Sequence, residues 1–287
     1  MVEFEVPEIE YDRYSNRQLA AVPLAVLAIA LAVLVGSYLL TGSPVALGID
    51  FTGGSQLTVE SSMSPSELEA TFSPQPVSVQ AVQSANNQYV LTFDSSAELS
   101  ALTTQAEDAG MSVLGSTEVS GRFGAATQRL AVIGVVVAFV GMSLLAFVLF
   151  RSFVPSIAIV ISAFSDIMVP LAIVSLLRIK LSLGTVAALL MLIGYSVDSD
   201  ILLNNHILRR RGGFYESTYA AMRTGVSMTL TSIAAMAVMA VMATFFNITL
   251  MAQIGLVLVL GLTTDLMNTY MLNLSLLRWY KFEGVSR

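Results

Sequence analysis

Six long apolar runs limit what this chain can fold into more than any other feature of its sequence. A helix needs about 20 predominantly apolar residues to cross the hydrocarbon core of a bilayer. Six segments meet that length: 18–40, 128–150, 154–177, 181–203, 225–246 and 250–277. Composition agrees, because 55% of the 287 residues are hydrophobic and only 12% are charged, too few to clothe a soluble domain of this size. The fold class expected is an α-helical polytopic membrane protein with six transmembrane helices. The first run, Leu19 to Leu40, is longer than a signal-peptide core and follows a Glu-rich tail, so it reads as a retained anchor.

The basic residues orient the chain. With the N-terminus cytoplasmic, that side holds Arg13, Arg17, Arg151, Arg209, Arg210, Arg211, Arg223, Arg278, Lys281 and Arg287, while Arg122, Arg129, Arg178 and Lys180 lie opposite. Positive residues collect on the cytoplasmic face, so both termini are expected inside. The divisions are a cytoplasmic tail 1–17, helix 18–40, an extracytoplasmic domain 41–127, a five-helix region 128–277 and a cytoplasmic tail 278–287. Lysine occurs only twice against twelve arginines, with a net charge of −6. That bias fits a habitat of concentrated salt, where screening makes an acidic surface tolerable. There is no cysteine and one histidine, His206, which excludes disulfides and leaves no Cys/His metal site. No metal, cofactor, enzymatic activity or nucleic-acid partner is expected.

Segment 41–127 reads as a folded domain. Alternation in Ser55–Glu60 and Tyr89–Phe93 predicts strands, with two more over Val77–Val82 and Met111–Val119. Ser64-Pro65-Ser66-Glu67 has the form of a capping box with proline at the first helical position. Ser95-Ser96-Ala97-Glu98 repeats the box and predicts a second helix to about Ala109. Strand, helix, strand, strand, helix, strand is the order of a ferredoxin-like α+β module. At its threshold stands Leu47-Gly48-Ile49-Asp50-Phe51-Thr52-Gly53-Gly54. No helix follows the glycines directly, which disfavours phosphate binding; the pair reads as structural, admitting positive φ or close backbone approach.

Carboxylates within apolar spans are the sharpest functional signal, because each costs a few kcal/mol to place near the midplane. Asp166 falls near the centre of the third run, Asp265 near the centre of the sixth, and Asp198 and Asp200 in the cytoplasmic half of the fourth. At about 100° per residue, Asp198 and Asp200 point some 200° apart. Asp198 therefore aligns with Asn205 and Asp200 with Asn204. One of the two faces the bundle interior and the other an interface, a partner or headgroup water. Such acids serve either as structural hydrogen-bond partners between helices or as an ion relay; the pattern favours a relay, for protons or sodium. Arg223-Thr224 opens the fifth run, followed by Thr229, Thr231 and Ser232. The arginine reads equally as an interfacial anchor or as a cation tuning an aspartate.

GIDFTGG (48–54), GYSVDSD (194–200), Val119-Ser120-Gly121-Arg122-Phe123-Gly124 and Arg223-Thr224 with its hydroxyl run resemble, in the same order over about 15–285, the SecF branch of the SecD/SecF family. The resemblance implies half of a transporter related to the resistance-nodulation-division class, with SecD as the other half. It further implies a Sec translocon channel and a preprotein as partners, within a lipid bilayer. An ion gradient would move the extracytoplasmic domains to assist translocation. The structural motif would comprise Gly48, Asp50, Phe51, Gly53, Gly54, Gly194 and Tyr195. The ion-coupling set would comprise Asp198, Asp200, Asp166, Asp265 and Arg223. GYSVDSD carries its acid one position before the aspartate of the bacterial GYS-x-ND, where Ser199 stands here. The segment resembles the archaeal form of the family, and on that resemblance Asp198 ranks ahead of Asp200. Three other readings compete: an RND-like small-molecule exporter half, a purely structural subunit, and an aspartyl protease with Asp166 and Asp198 as its dyad.

Overall fold

A computed structural model describes residues 10–82, 87–209, 213–246 and 248–284; Arg210, Arg211, Arg287 and the first nine residues of the N-terminal tail lie outside the described residues. Among the described residues, six helices are long and apolar enough to cross a membrane, the number that hydropathy predicts. The first, α1 (Asn16–Thr41), starts at a capping box in which Ser15 and Gln18 exchange hydrogen bonds, and stops at Gly42 in the left-handed region. Such starts and stops satisfy backbone groups that a helix end leaves unpaired.

A short helix α2 (Ile49–Thr52) then leads into β1 (Gly54–Glu60), α3 (Pro65–Thr71), β2 (Ser78–Ala81), β3 (Gln88–Phe93), α4 (Leu99–Asp108) and β4 (Ser112–Val119). The sheet is antiparallel in the order β2-β3-β1-β4, the split arrangement in which both helices cover one face. Leu57 and Val59 of β1 and Leu91 and Phe93 of β3 point into a core closed by Leu68, Phe72 and Leu102. The box at Ser64 forms, its hydroxyl and Glu67 bonding reciprocally. The box expected at Ser95 does not. Asp94 takes the Ser96 N–H on its side chain and the Ala97 N–H on its carbonyl. That turn delays the helix to an N-cap at Glu98, as side-chain–backbone bonding does when it competes with a helix start.

The remaining chain forms α5 (Gly121–Phe150), α6 (Phe153–Leu176), α7 (Leu183–Arg209), α8 (Phe214–Phe245), α9 (Thr249–Met267) and α10 (Leu274–Trp279). Two π segments, Asn268–Asn273 and Tyr280–Gly284, make α9 and α10 part of one long span. The most apolar stretch of α6 is 61% buried and those of α5 and α8 only 11%, so α6 is central and α5 and α8 are peripheral. Ile159, Ala163 and Ile167 of α6 pack with Ala188, Leu189 and Ile193 of α7 and with Val257 and Leu258 of α9. Arg223 does not open its helix. The helix begins at Phe214, and its first turns bury Phe214, Ser217, Thr218, Ala221 and Met222. That amphipathic prelude is too polar for a hydropathy window to register.

Candidate functional site

The carboxylates sort by helix face. Asp166 of α6, Asp200 of α7 and Asp265 of α9 have no exposed surface. Asp198, two residues before Asp200, is exposed. Asn204 is fully buried with Asp200, and Asn205 is exposed with Asp198, as the angular spacing predicts. The ranking of Asp198 ahead of Asp200 is not matched by burial: Asp200 occupies the interior, because α7 turns the 200/204 face towards α6 and α9. Asp166 and Asp198 form no dyad, since one is enclosed and the other faces outward.

Hydroxyls and amides from three spans tie the buried acids together. Ser196 donates to Asp166 Oδ2 at 2.6 Å, and Asn268 Nδ2 donates to Asp166 Oδ1 at 2.6 Å. Asn273 Nδ2 donates to Asp200 Oδ1 at 2.8 Å, and Thr269 Oγ1 donates to the same oxygen at 3.0 Å. Ser199 donates to Asp265 Oδ1 at 2.8 Å and lies 3.2 Å from Thr269. Ser199 and Thr269 thus bridge Asp200 to Asp265.

The π segment makes this convergence feasible. Residues five apart lie about 140° apart around an α-helix but come onto the same side in a π turn, where bonding runs i to i+5. Asn268 and Asn273 are five apart, and the π geometry over Asn268–Asn273 lets both face inward, one to Asp166 and the other to Asp200. A helix-period reading cannot foresee that. The available signal was compositional: Asn268, Thr269 and Asn273 are polar residues within an otherwise apolar span.

The network is rich in acceptors. Among the described residues, Asp200 Oδ2, Asp265 Oδ2 and the Oδ1 atoms of Asn204, Asn268 and Asn273 are buried with no hydrogen-bond partner, as are the hydroxyls of Ser162 and Ser165. No arginine or lysine bonds to any of the three carboxylates among the described residues. Nor, among those residues, do three His, Cys, Asp or Glu side chains converge in a way that could hold a metal ion. Three buried carboxylates without a counter-cation are costly unless protons or cations offset their charge. Uptake and release of positive charge is the chemistry this arrangement can perform.

The other expected site residues lie apart from this network. Arg223 is exposed, ten residues into α8. The hydroxyls of Thr229 and Ser232 bond back to backbone carbonyls four residues earlier, and Thr231 does the same to Ser227. Gly194 faces open space, and Tyr195 donates to Ser232 Oγ at 3.3 Å. Ala187, Met191, Gly194, Asp198 and Asn205 make one exposed stripe along α7.

The threshold segment behaves as a structural device. Phe51 is 3% exposed. Gly53 and Gly54 have φ of +75° and +133°, and a Cβ on Gly54 would lie 2.4 Å from the Phe93 carbonyl oxygen. Only glycine tolerates both conditions. Asp50 Oδ2 accepts the Leu183 N–H at 2.9 Å, at the first residue of α7.

Comparison with known proteins agrees with this architecture. Residues 99–283 match the family described as Protein export membrane protein SecD/SecF, C-terminal, and residues 38–65 match the SecD/SecF GG Motif. The chain is 65% identical to the protein-export membrane protein SecF of Haloferax volcanii, over all of both chains. It is 40% identical to that of Methanolacinia petrolearia, covering 96% of this chain and 97% of the relative. It is 36% identical to that of Pyrococcus furiosus, covering 91% and 90%. The fold matches SecDF, a translocon-associated membrane protein from a Thermus species, with a TM-score of 0.74 at 19% identity. The match covers 96% of this chain and 39% of the longer SecDF chain.

Proposed function

The chain belongs to the SecD/SecF family of protein-export membrane proteins, and on that premise we propose that it couples an ion gradient to protein export as the partner of a SecD chain. The buried Asp166–Asp200–Asp265 network carries this reading. It joins three spans through hydroxyls and amides, so a change in its charge alters the contacts that set the helix packing. Protons entering it, or sodium ions held by a single carboxylate with neighbouring hydroxyl and carbonyl oxygens, would shift α7 against α6 and α9. The α+β domain, attached at the start of α7, would then move and hold an emerging preprotein against backsliding at the Sec channel.

SecD is the occupant proposed for the α7 stripe. A charged side chain facing lipid is costly, and Asp198 and Arg223 are both exposed. A second half-bundle would shelter Asp198 and bring cationic or polar partners to it. The basic-residue bias supports cytoplasmic tails at 1–17 and 278–287, with the domain of residues 41–127 on the far side.

The test is export of a secreted reporter, with and without dissipation of the gradient, by the chain expressed together with its SecD. Asp200→Asn keeps an acceptor for Asn273 and Thr269 but cannot cycle its charge. It should remove the gradient-dependent part of export while the complex still assembles. Asp198→Asn, by altering a residue at the proposed SecD surface, should weaken assembly or coupling without disturbing the internal network. Unimpaired gradient-dependent export by Asp200→Asn would overturn the proposal.

A further inference from the structure

Helix α7, which carries Asp200, has its first turn held by the threshold of the α+β domain. Within its own sequence the helix start is already provided for. Thr185 Oγ1 accepts the Ser182 N–H at 2.8 Å, and Ser182 Oγ accepts the Thr185 N–H at 3.3 Å, a reciprocal box. The next N–H, that of Leu183, goes instead to Asp50 Oδ2 at 2.9 Å, across 133 positions of sequence. A carboxylate there also meets the positive end of the helix dipole.

The backbone on either side is joined as well. Gly48 N–H donates to the Leu181 carbonyl at 2.8 Å, and Leu181 N–H donates to the Ala46 carbonyl at 2.7 Å, making a short parallel bridge between Leu47 and Leu181. Lys180 Nζ donates to Ser78 Oγ of β2 at 2.8 Å, and burial pushes the Lys180 ammonium down. On its other side the segment is wedged against α5: a Cβ on Gly124 would lie 2.7 Å from the Gly53 nitrogen and 3.0 Å from the Phe51 carbonyl. The segment therefore has little freedom to slide independently of either helix. Asp200 lies seventeen positions beyond Leu183 along continuous helix, about 26 Å at 1.5 Å per residue.

We propose that Asp50 is a positioning residue whose hydrogen bond to Leu183 fastens the α+β domain to α7, so that displacement of this helix is delivered to the domain. The bond rests on the coupling reading given above, since it has a use only if α7 moves. Its role is that of an acceptor. Asparagine is as good a helix-capping acceptor as aspartate, whereas alanine offers none. The segment GIDFTGG then has a division of labour: Gly48 and Asp50 grip α7, while Gly53 and Gly54 hand the chain to β1.

The cysteine-free sequence allows the test. Thr104→Cys on the exposed side of α4 and Ile248→Cys, exposed between α8 and α9, take a pair of distance probes. Their separation is read in membrane vesicles containing the complex with SecD, with and without an imposed ion gradient. The expected result is a gradient-dependent shift in the parent chain, its loss in Asp50→Ala, and its retention in Asp50→Asn. Gly48→Ala, whose Cβ would press to 2.9 Å on the Leu181 oxygen, opens the same seam from the other side and should also lose the shift. It decides the matter if Asp50→Ala yields no folded complex. A full shift in Asp50→Ala, or a loss in Asp50→Asn as complete as in Asp50→Ala, overturns the assignment of Asp50. Absence of any shift in the parent chain instead overturns the coupling reading beneath it.

Discussion

Replacing Gly54 by alanine should unlock the central strand pair of the α+β domain, and the cost can be worked from the local geometry. The residue sits at φ +133°, and its Cβ would stand 2.4 Å from the Phe93 carbonyl oxygen. An L side chain held in such a backbone region costs about 1–3 kcal/mol. The clash adds about 1–3 kcal/mol of overpacking, because the offending atom is backbone and cannot rotate away. It also belongs to the residue paired with Ser55 in the β1–β3 ladder. The sum is about 2–6 kcal/mol, comparable with the whole stability of a domain this small. At 1.4 kcal/mol per decade, protection of the β1 and β3 amides from hydrogen exchange should fall by at least about 25-fold. The assay is hydrogen-exchange mass spectrometry on the full chain, with α6 peptides as the internal reference. Gly115→Ala is the control: it lies in neighbouring β4, takes no positive φ and has nothing within 4 Å of a new Cβ. Unchanged protection in Gly54→Ala, or equal loss in Gly115→Ala, would refute the reasoning.

Ser64→Ala removes both the hydroxyl that accepts the Glu67 N–H and a donor to the Glu67 carboxylate, and should cost the domain about 1 kcal/mol in thermal or denaturant unfolding. The backbone and side-chain hydrogen bonds from Ser64 hold the Glu67 carboxyl below its ordinary 4.5. A depressed carboxyl contributes stability above its unfolded pKa and loses it as pH falls through the folded value. Cap-dependent stability should therefore decline below about pH 4.5 in the parent, and this component should be smaller but still present in Ser64→Ala, which loses the hydroxyl and keeps the backbone N–H that bonds Glu67. Arg278 donates to the Tyr11 and Tyr14 carbonyls at 3.0 and 2.7 Å and to Asn16. Arg278→Lys keeps the charge but lacks the planar fork, so the segment before α1 should become cleavable by added protease while α6 stays protected.

The sequence by itself determined the number of spans, the β-α-β-β-α-β order, the glycine pair and the separation of Asp198 from Asp200. Each follows from local periodicity or local sterics: runs of apolar residues, alternation, a positive φ, a fixed angle per residue. The capping box at Ser64 was legible for the same reason, because its partners lie three residues apart. The similar box at Ser95 was not, since Asp94 just outside it captured the backbone first. Only the tertiary structure decided which face of α7 points inward, and that placed Asp200 rather than Asp198 beside Asp166 and Asp265. The choice rests on how α6 and α9 pack on α7, through bonds between residues 30 and 66 positions apart. Likewise, the π turn that aims Asn268 and Asn273 at two different aspartates is set by those aspartates as much as by its own residues. The Asp50–Leu183 bond could not be read from either segment alone, because a helix cap borrowed from 133 positions away leaves no local trace.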